Sequence, residues 1–464
     1  MVKPRALRWA HLVVVAGLLA ALALLAWPPA ALPRAGVPDV TLVLATIVLL
    51  ATGALPEHVT ALLFFLTAML FAVAPAEVVF AGFHSTALWM VFGGLVIGIG
   101  VRRTGLAERL AGAMARRIGR RHARVVAGSV FLGMVLAFVM PSTMGRTLIL
   151  MPIVLAMAEG LGYGEGSNGR AGMVLGVSFG TMLPGFAVLP ATVPAMVLIG
   201  ASEHLYGISP VYGAWLLLHF PVLGLLKGIV IVLLILWLFP DRDGEPGGAA
   251  GTARPAMARD ERLMTILLLL ALALWVTDFA HHISPAWVAL GVATACLLPA
   301  IGIVPPQAFN EKLNYASLFY VAAVLGLGAL VAHSGAGDLL ARGALGLLQL
   351  APGETAKTFA AVVGLSAVSA MLLTQPGVPV VMTPLAGSVA QASGLPVDSV
   401  LMMIVVGFST VVLPYQTPPL VVAMQIGRVR MAQGNKLCLA LLAVTLAVLL
   451  PLDYLWWQLL GRLG

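Results

Sequence analysis

The sequence predicts an all-α polytopic membrane protein made of two related halves, and three observations carry that prediction. Of its 464 residues, 61% are apolar and 9% are charged, whereas soluble proteins carry about 25% charged residues. One stretch of the chain recurs at an offset of 230 residues. Lysine and arginine are distributed unevenly among the segments that link the apolar spans. A chain with so little polar surface is expected to lie in lipid, because it could not cover its apolar side chains in water.

The lengths of the apolar spans decide which of them can cross a membrane. A transmembrane helix needs about 20 mostly apolar residues. On that basis we predict about eleven transmembrane helices and two interrupted apolar segments, which we interpret as re-entrant hairpins at 126–158 and 356–390. Unpaired backbone at a hairpin tip is tolerated where protein or a wet cavity surrounds it. The spans are predicted near 11–28, 38–55, 58–75, 86–102, 171–200, 213–240, 263–281, 285–303, 315–333, 398–427 and 437–460.

The recurring stretch runs from Val91 to Gly112 and again from Val321 to Arg342. In both copies an apolar span is followed by a break at small residues and then by a short amphipathic helix. Five arginines lie in or just after the first copy and one in the second, which indicates two halves inserted in opposite orientations. We therefore predict an inverted repeat of residues 1–240 and 263–464, joined by a cytoplasmic linker at 241–262 that is rich in Gly, Pro and Ala.

The basic residues predict the orientation of the chain in the membrane. With a cytoplasmic N-terminus and an external C-terminus, 20 of the 26 lysines and arginines are cytoplasmic and 4 are external. The remaining two, Arg146 and Lys227, fall inside the membrane region, and Lys227 is predicted to snorkel to the nearby surface. An excess of lysine and arginine in the cytoplasmic segments accounts for the net charge of +8. We predict no nucleic-acid partner, because no basic stripe with interleaved aromatic residues is found.

Each half carries a hairpin tip followed by a span that prolines interrupt. Proline removes a backbone donor and clashes with the preceding turn, so the spans at 171–200 and 398–427 are predicted to be broken helices. In the two tips, Ser142 and Thr374 are each followed by a proline ten positions later. The N-terminus of a half-helix presents free N–H groups and about +0.5 of a charge, which suits a carboxylate or another oxyanion. Two matching pairs of breaks therefore predict a binding site for a small anion.

At these residues the chain resembles the divalent anion:sodium symporter family, whose members transport dicarboxylates, citrate or sulfate. The resemblance covers nearly the whole length. It implies secondary active transport of di- or tricarboxylates or sulfate, with sodium as the candidate coupling ion and no other cofactor. It also implies a homodimer with an elevator mechanism, in which a mobile domain holds both hairpins and both broken spans. Its strongest pieces are WMVFGGLVIGIGVRRTGLAERLA at 89–111, the second copy ending in HSGAGDLLA at 333–341, and LPYQTPPLVVA at 413–423.

The hairpin tips depart from the family pattern. Members usually carry Ser-Asn-Thr at each tip, and those residues ligate sodium and bind the substrate carboxylate. Here the first tip is Ser142-Thr143-Met144 and the second is Thr374-Gln375-Pro376, so only the first hydroxyl is kept. In the broken spans, Thr417-Pro418-Pro419 matches the family well, and Thr192-Val193-Pro194 matches it in part. Because asparagine is missing from both tips, we predict that sodium dependence is reduced or absent.

Arg146 lies just after the first tip, in an apolar segment where a charge costs roughly 2.5–3.5 kcal/mol. Two alternatives follow. Either it replaces sodium as a countercharge for the anion, or it snorkels to the cytoplasmic mouth. Any sodium ion is expected at Ser142 and Thr374. The predicted substrate-binding residues are Ser142, Thr143, Arg146, Thr192, Thr374, Gln375, Thr417 and Pro418.

Two other functions stay open from the residues alone. Another carrier of the ion-transporter superfamily, such as an arsenite or a sodium/proton exchanger, would be favoured by acidic residues deep in the broken spans, where none is found. An intramembrane serine hydrolase would use Ser178 of Gly176-Val177-Ser178-Phe179-Gly180, but that motif needs a strand-to-helix turn and here lies in a predicted transmembrane helix. We therefore predict a multi-pass transporter of the cell (inner) membrane that binds a small anion and is not an enzyme.

Overall fold

The computed structural model describes residues 4–28, 34–52, 54–140, 142–244, 256–335, 348–373, 375 and 377–463. Within these residues every regular element is a helix, so the all-α prediction is confirmed. Six of the described helices are long and apolar enough to cross a membrane, and several shorter ones are apolar as well. The molecule is thus an all-helical protein with the composition of a multi-pass membrane protein.

The first half of the chain runs from the N-terminal helix to a long helix that contains a π-helical segment, Phe220–Leu226. Two short helices, Ala76–Val79 and Ala81–His84, connect α3 to α4. The main helices are α1 (Pro4–Ala26), α2 (Val37–Thr52), α3 (Glu57–Leu70), α4 (Thr86–Thr104), α5 (Leu106–Ile118), α6 (His122–Val139), α7 (Thr143–Gly160), α8 (Asn168–Met182), α9 (Val193–Tyr206) and α10 (Tyr212–Leu238).

The second half has a corresponding order of helices and also ends in a long helix with a π-helical segment, Thr445–Leu449. Short helices at Asp278–His281 and Pro306–Lys312 lie in its connections. The main helices are α11 (Arg259–Val276), α12 (Pro285–Leu297), α13 (Tyr315–His333), α14 (Thr355–Leu372), α15 (Gly377–Met382), α16 (Ala386–Ser393), α17 (Val397–Phe408), α18 (Pro418–Gly427) and α19 (Met431–Leu459).

The predicted spans fall on these helices, but the helix ends differ. Helix α1 begins at Pro4, whereas the first span was predicted from residue 11. Hydropathy identifies the residues suited to hydrocarbon, and a helix can continue past them through charged residues such as Arg5 and Arg8. Residues 245–255 of the predicted linker lie outside the described residues. The division at 1–240 and 263–464 stays a prediction.

The recurring stretch has the same local structure in both copies. Helices α4 and α13 are each 19 residues long. Gly105 directly follows the first with φ of 73°, and Gly335 lies two residues after the end of the second with φ of 72°. A left-handed residue ends a helix by satisfying its last carbonyls, and glycine adopts it without the steric cost of a Cβ atom. The repeat in the sequence is therefore a repeat in backbone conformation. The part of the second copy at 336–347 lies outside the described residues.

The two spans predicted as broken helices are each interrupted in the structure. A 3-10 turn at Pro184–Ala187 and a further turn, in which Ala191 N donates to Val188 O, separate α8 from α9, and a 3-10 turn at Pro414–Gln416 separates α17 from α18. Prolines occupy the first turns of α9 and α18, where a helix tolerates them because those N–H groups have no partner within the helix. Helix α6 packs along α8, and α14 packs along α17, so each hairpin arm lies against the first half of its broken span.

The outward-facing surface is rich in large apolar side chains. Leu66, Trp237 and Leu269 are each more than half exposed and lie on helices rather than in loops. Such exposed patches on a water-soluble protein would promote association, whereas in a bilayer they contact lipid. The exposed face of the fold therefore agrees with the membrane location that the composition predicts.

Specific polar contacts join the two halves. The Arg109 guanidinium of α5 donates two hydrogen bonds to the Glu261 carboxylate of α11, one of them at 2.9 Å. The Tyr206 hydroxyl of α9 donates to Thr383 O at 2.9 Å and accepts from Gly387 N at 3.0 Å. These contacts hold the second hairpin and the start of the second half against the first half.

Candidate functional site

A cavity of about 340 Å³ lies where the hairpin tips meet the breaks of the two broken spans. Ser142 and Thr143 line it from the start of α7, and Thr192 lines it from the residue before α9. Gln375 lines it from the second tip, and Pro418 from the start of α18. Five of the eight predicted binding residues, drawn from both halves, therefore share one cavity.

Three helices begin at this cavity. They are α7, α9 and α18, and each is ten residues long or longer. The first N–H groups of a helix have no partner within the helix, and the N-terminus carries a partial positive charge. Ser142 caps α7, because its Oγ accepts a hydrogen bond of 3.2 Å from Gly145 N. The convergence of three N-termini makes the cavity electrostatically suited to an anion.

Two buried polar groups in the cavity wall have no hydrogen-bond partner among the described residues. They are the Thr192 hydroxyl and the Gln416 amide nitrogen, Nε2. The Gln416 side chain is held in place because its Oε1 accepts hydrogen bonds from Val412 N and Leu413 N at 2.7 and 2.8 Å. An unpartnered buried donor costs about 1–3 kcal/mol. Both groups are therefore available to donate to a ligand oxygen. The sequence prediction missed Gln416, although it lies within the proline-rich break.

The opposite wall comes from the repeated helices. Val91 and Leu95 of α4 face the cavity, and Ser317 and Tyr320 of α13 face it together with Asn314, which caps α13. None of these residues was among the predicted site residues, although Val91 begins the first copy of the repeat. The repeat itself was the signal, because in transporters built from internal repeats the binding site lies where the repeats meet.

Glu57 is the one charged side chain among the described residues that line the cavity. No lysine or arginine of the described chain lies in the wall. An anion in this cavity would therefore be held by helix N-termini and neutral donors at close range. Any compensating positive side chain must act from behind the wall.

Arg146 lies behind this wall. It is 0% exposed, so the snorkelling alternative is wrong. Its guanidinium donates hydrogen bonds to the Thr143 hydroxyl at 3.1 Å and to the carbonyl oxygens of Thr181 and Ala191 at 3.0 and 3.2 Å. It also donates to Met140 O. Because Thr143 lines the cavity, the charge lies one side chain away from it. Within the described chain no carboxylate pairs with this guanidinium.

The groups around the Arg146 guanidinium are carbonyl oxygens and a hydroxyl. Unwound backbone carbonyls and half-helix ends are the ligands that coordinate sodium in transporters with broken helices. A Cβ atom on Gly185 would come within 3.1 Å of Arg146 Nη2, so glycine at this position leaves room for the guanidinium. The Arg146 guanidinium is thus surrounded by oxygen atoms of the kind that could also coordinate a metal cation.

The remaining predicted residues lie elsewhere. Thr417 is buried, and its hydroxyl donates to Pro414 O at 3.2 Å rather than facing the cavity. Thr374 lies outside the described residues, so the sodium site predicted at Ser142 and Thr374 stays a prediction. Ser178 lies within α8 and is buried, with its hydroxyl donating to Val174 O at 2.5 Å.

Comparison with known families gives a match over nearly the whole chain. The model described as the sodium:sulfate symporter transmembrane region matches residues 6–463. This is a family of transporters, so the prediction of a membrane transporter is confirmed and the serine hydrolase alternative at Ser178 is wrong.

Over the aligned residues, curated relatives are about a quarter identical to this chain. A membrane protein of Cupriavidus necator is 26% identical over 268 residues, which is 56% of this chain and 52% of that protein. The L-tartrate/succinate antiporter of Escherichia coli strain K12 is 26% identical over 53% of this chain and 52% of its own length. The sodium-dependent dicarboxylate transporter SdcS of Staphylococcus saprophyticus is 24% identical over 49% and 46%, respectively. The chain thus matches about half the length of these relatives.

A solved transporter shares the fold. The crystal structure of the Alcanivorax borkumensis YdaH transporter superposes with a TM-score of 0.56 over 93% of this chain and 100% of that one. The two sequences are 17% identical, so the likeness concerns the fold alone.

Proposed function

The chain belongs to the sodium:sulfate symporter family, and from that premise we propose that it is a secondary active transporter of small anions, with di- or tricarboxylates or sulfate as substrates. The observation that carries the proposal is the convergence of three helix N-termini on one cavity with two unpartnered donors, Thr192 and Gln416. Neutral donors and helix ends bind an anion without the strong attachment that would prevent its release.

The size and polarity of the cavity support a small substrate. Its volume of about 340 Å³ is at the lower end of the 300–1,000 Å³ typical of small-molecule sites. Met182, Phe186 and Met196 give part of the wall an apolar surface. A short dicarboxylate has an apolar carbon chain between two charged ends, and it matches a wall of this kind.

For the coupling ion, we propose that sodium dependence is reduced or absent. Among the relatives, one is named an antiporter and another is named sodium-dependent, so similarity to them does not decide this point. The support comes from Arg146, whose guanidinium is surrounded by oxygens that could otherwise ligate a cation. Because arginine stays charged at all physiological pH values, it would act as a fixed countercharge that does not leave with the substrate.

For the architecture, we propose eleven transmembrane helices and two re-entrant hairpins, with a cytoplasmic N-terminus and an external C-terminus. The matching glycine-ended helices and paired breaks of the two halves support the inverted repeat. Alternating access would follow by an elevator movement of a domain that holds both hairpins and both broken spans, in a homodimer. Exchange between the two faces then needs no rearrangement of the cavity wall itself.

The test is transport in liposomes. Purified protein is reconstituted and offered labelled succinate, citrate, sulfate or glutamate, with and without an inward sodium gradient. We expect uptake of at least one anion that the sodium gradient does not drive. Arg146→Gln should lower that uptake at least tenfold, while Arg428→Gln, at an exposed ion pair with Glu165, should not change it. Transport of none of the four anions would refute the proposal. Sodium-driven uptake that Arg146→Gln leaves unaltered would refute the role of Arg146.

A further inference from the structure

A second group of ionisable side chains lies within the membrane-spanning helices, behind the anion cavity. Lys227 of α10 is 1% exposed, and its Nζ donates a hydrogen bond of 3.0 Å to Ser409 O. Asp453 of α19 is 0% exposed, and its carboxylate interacts electrostatically with Lys227. The prediction that Lys227 snorkels is therefore wrong, because its ammonium group points to a helix end in the interior. Ionisable residues at such a depth are costly and mark functional sites.

The acidic member of this pair has few other partners. Neither Asp453 oxygen accepts a hydrogen bond of normal geometry from the described residues, although the indole N–H of Trp457 interacts with the carboxylate outside that geometry. Both ring nitrogens of His219 also have no hydrogen-bond partner in the part of the chain that the structure describes, and that ring packs against Trp457 with 5.8 Å between ring centroids. Apart from Lys227, few described groups therefore compensate a negative charge on Asp453. A buried carboxylate that lacks such compensation can become neutral by binding a proton.

The pair lies beside two irregular helix segments. The π-helical segment Phe220–Leu226 immediately precedes Lys227, and the segment Thr445–Leu449 precedes Asp453 by about one turn. The two segments contact each other. π-Helical segments inside α-helices are frequent at functional sites, because the extra residue changes which side chains face the interior. Here a lysine and an aspartate from different halves follow two irregular segments that are in contact.

One short chain of contacts joins the pair to the anion cavity through the second tip. Gln375 lines the cavity, and its Nε2 donates a hydrogen bond of 3.1 Å to Phe408 O. The next carbonyl along the chain, Ser409 O, is the one that accepts from Lys227. Both carbonyls belong to the C-terminal end of α17, so the charge on Lys227 and the amide of Gln375 act on the same helix end.

A second chain of contacts runs through aromatic side chains. Phe186 lines the cavity, and its carbonyl accepts a hydrogen bond of 3.2 Å from Trp215 Nε1. The Trp215 ring packs against His219 with 4.8 Å between ring centroids. His219 in turn contacts Trp457, next to Asp453. The pair is thus connected to the cavity on two sides by directly contacting groups.

We propose that Lys227 and Asp453 form a proton-binding site that couples anion transport to protons. This inference rests on the proposed transport function. With Asp453 ionised, the pair is neutral overall. When a proton binds the Asp453 carboxylate, the positive charge of Lys227 is left uncompensated at the end of α17, and it attracts an anion in the cavity. Linkage is reciprocal, so a bound anion strengthens proton binding by the same factor. Anion and proton therefore move together.

The other charged groups nearby do not replace this pair. The His219 ring of α10 packs against Trp457 of α19, and Arg462, which follows α19, interacts electrostatically with His219. Arg462 is partly exposed and forms an ion pair of 2.7 Å with Asp398 at the start of α17. The electrostatic interactions of Lys227 and Asp453 are with each other. We therefore assign the exchanged proton to the Asp453 carboxylate.

The experiment compares wild type, Asp453→Asn and Glu165→Gln in liposomes that contain a trapped pH-sensitive dye. One measurement is exchange of a labelled anion at equal pH on both sides, which reports the transport function alone. The other is uptake under an inward proton gradient together with acidification of the interior. We expect wild type and Glu165→Gln to do both. Asp453→Asn should keep the rate of anion exchange within about threefold of wild type. It should lose gradient-driven accumulation and acidification, because it has no carboxylate to bind the proton. In wild type, proton binding is expected to change anion affinity by about tenfold, a typical coupling between two sites.

Each alternative outcome decides the matter. Exchange by wild type without acidification, or equal acidification by Asp453→Asn, would overturn the proton site while leaving the transport function intact. If no anion is exchanged at all, the transport proposal fails, and infrared difference spectra still test the proton. A carboxylic-acid band that appears on acidification of wild type and is missing in Asp453→Asn supports the site, and its absence from wild type overturns it.

A second variant is used if Asp453→Asn does not fold. Lys227→Gln removes the ammonium group that favours an ionised Asp453, so the pH midpoint of proton-coupled uptake should move to a higher pH. Glu165→Gln again serves as the control, because it removes an exposed carboxylate far from the pair. An unchanged midpoint in Lys227→Gln would overturn the proposal.

Discussion

The two broken spans each have a buried cation at the C-terminal end of their first half-helix, but the two cations differ in their surroundings. In the first break, Arg146 donates to Thr181 O at the end of α8. In the second, Lys227 donates to Ser409 O at the end of α17. Free carbonyls and the negative end of the helix dipole favour a cation at both places. The two breaks thus meet the same electrostatic need with different residues.

The two buried cations differ in whether the charge at their site can change with protonation. Arg146 comes from the neighbouring tip of its own half, makes several hydrogen bonds to oxygens, and has no carboxylate partner within the described chain. Lys227 reaches from the first half into the second and interacts with Asp453. Arginine keeps its proton, whereas lysine and aspartate can exchange one. The first break therefore has the properties of a fixed countercharge, and the second those of a titratable site.

The largest effect is expected when Lys227 is removed alone. Lys227→Met leaves the Asp453 carboxylate buried without its cation, and we expect the free energy of unfolding to fall by about 3 kcal/mol. The double variant Lys227→Met/Asp453→Leu removes both charges and should recover most of that loss. Denaturation in mixed detergent micelles measures both values. Arg146→Met is the matched control, because Asp453→Leu should not rescue it. A double variant no more stable than Lys227→Met would mean that the two residues do not act as a pair.

A smaller effect is expected at the first break. Thr192→Val keeps the shape of the side chain but removes the unpartnered hydroxyl in the cavity wall. We expect anion affinity to fall by about 1 kcal/mol, roughly fivefold, with proton coupling unchanged. Concentration dependence of exchange in liposomes measures it. Thr46→Val removes a buried hydroxyl that donates to Leu42 O, away from the cavity, and should leave affinity unchanged. Equal affinity in wild type and Thr192→Val would exclude a contact with the anion.

The smallest effect is expected at an ion pair outside the interior. Arg428 and Glu165 form a contact of 2.6 Å, and both side chains are more than half exposed. Solvent screens such pairs, so Glu165→Gln should change the free energy of unfolding by about 0.5 kcal/mol or less. The same micelle denaturation measures this change. A loss comparable to that of Lys227→Met would show that burial is not what distinguishes the two cation sites from surface pairs.

Much of the candidate site could be predicted from the sequence, because its signals act locally. Proline at positions such as 184 and 414 breaks a helix through its own ring and missing N–H group. Tip and break residues such as Ser142, Thr192 and Pro418 could be named for that reason, and they share one cavity. Gln416 was missed because the orientation of its free amide depends on hydrogen bonds that its Oε1 accepts from the folded turn.

By itself, the sequence determined the class of the protein, the internal repeat and the places where helices break. Composition, hydrophobic length, and glycine and proline act through the solvent and the local backbone, so they need no knowledge of distant contacts. Only the tertiary structure decided the surroundings of the two buried cations. Snorkelling was compatible with the sequence around both Arg146 and Lys227. The oxygens around Arg146 and the carboxylate near Lys227 come from other segments of the chain, and only packing brings them together.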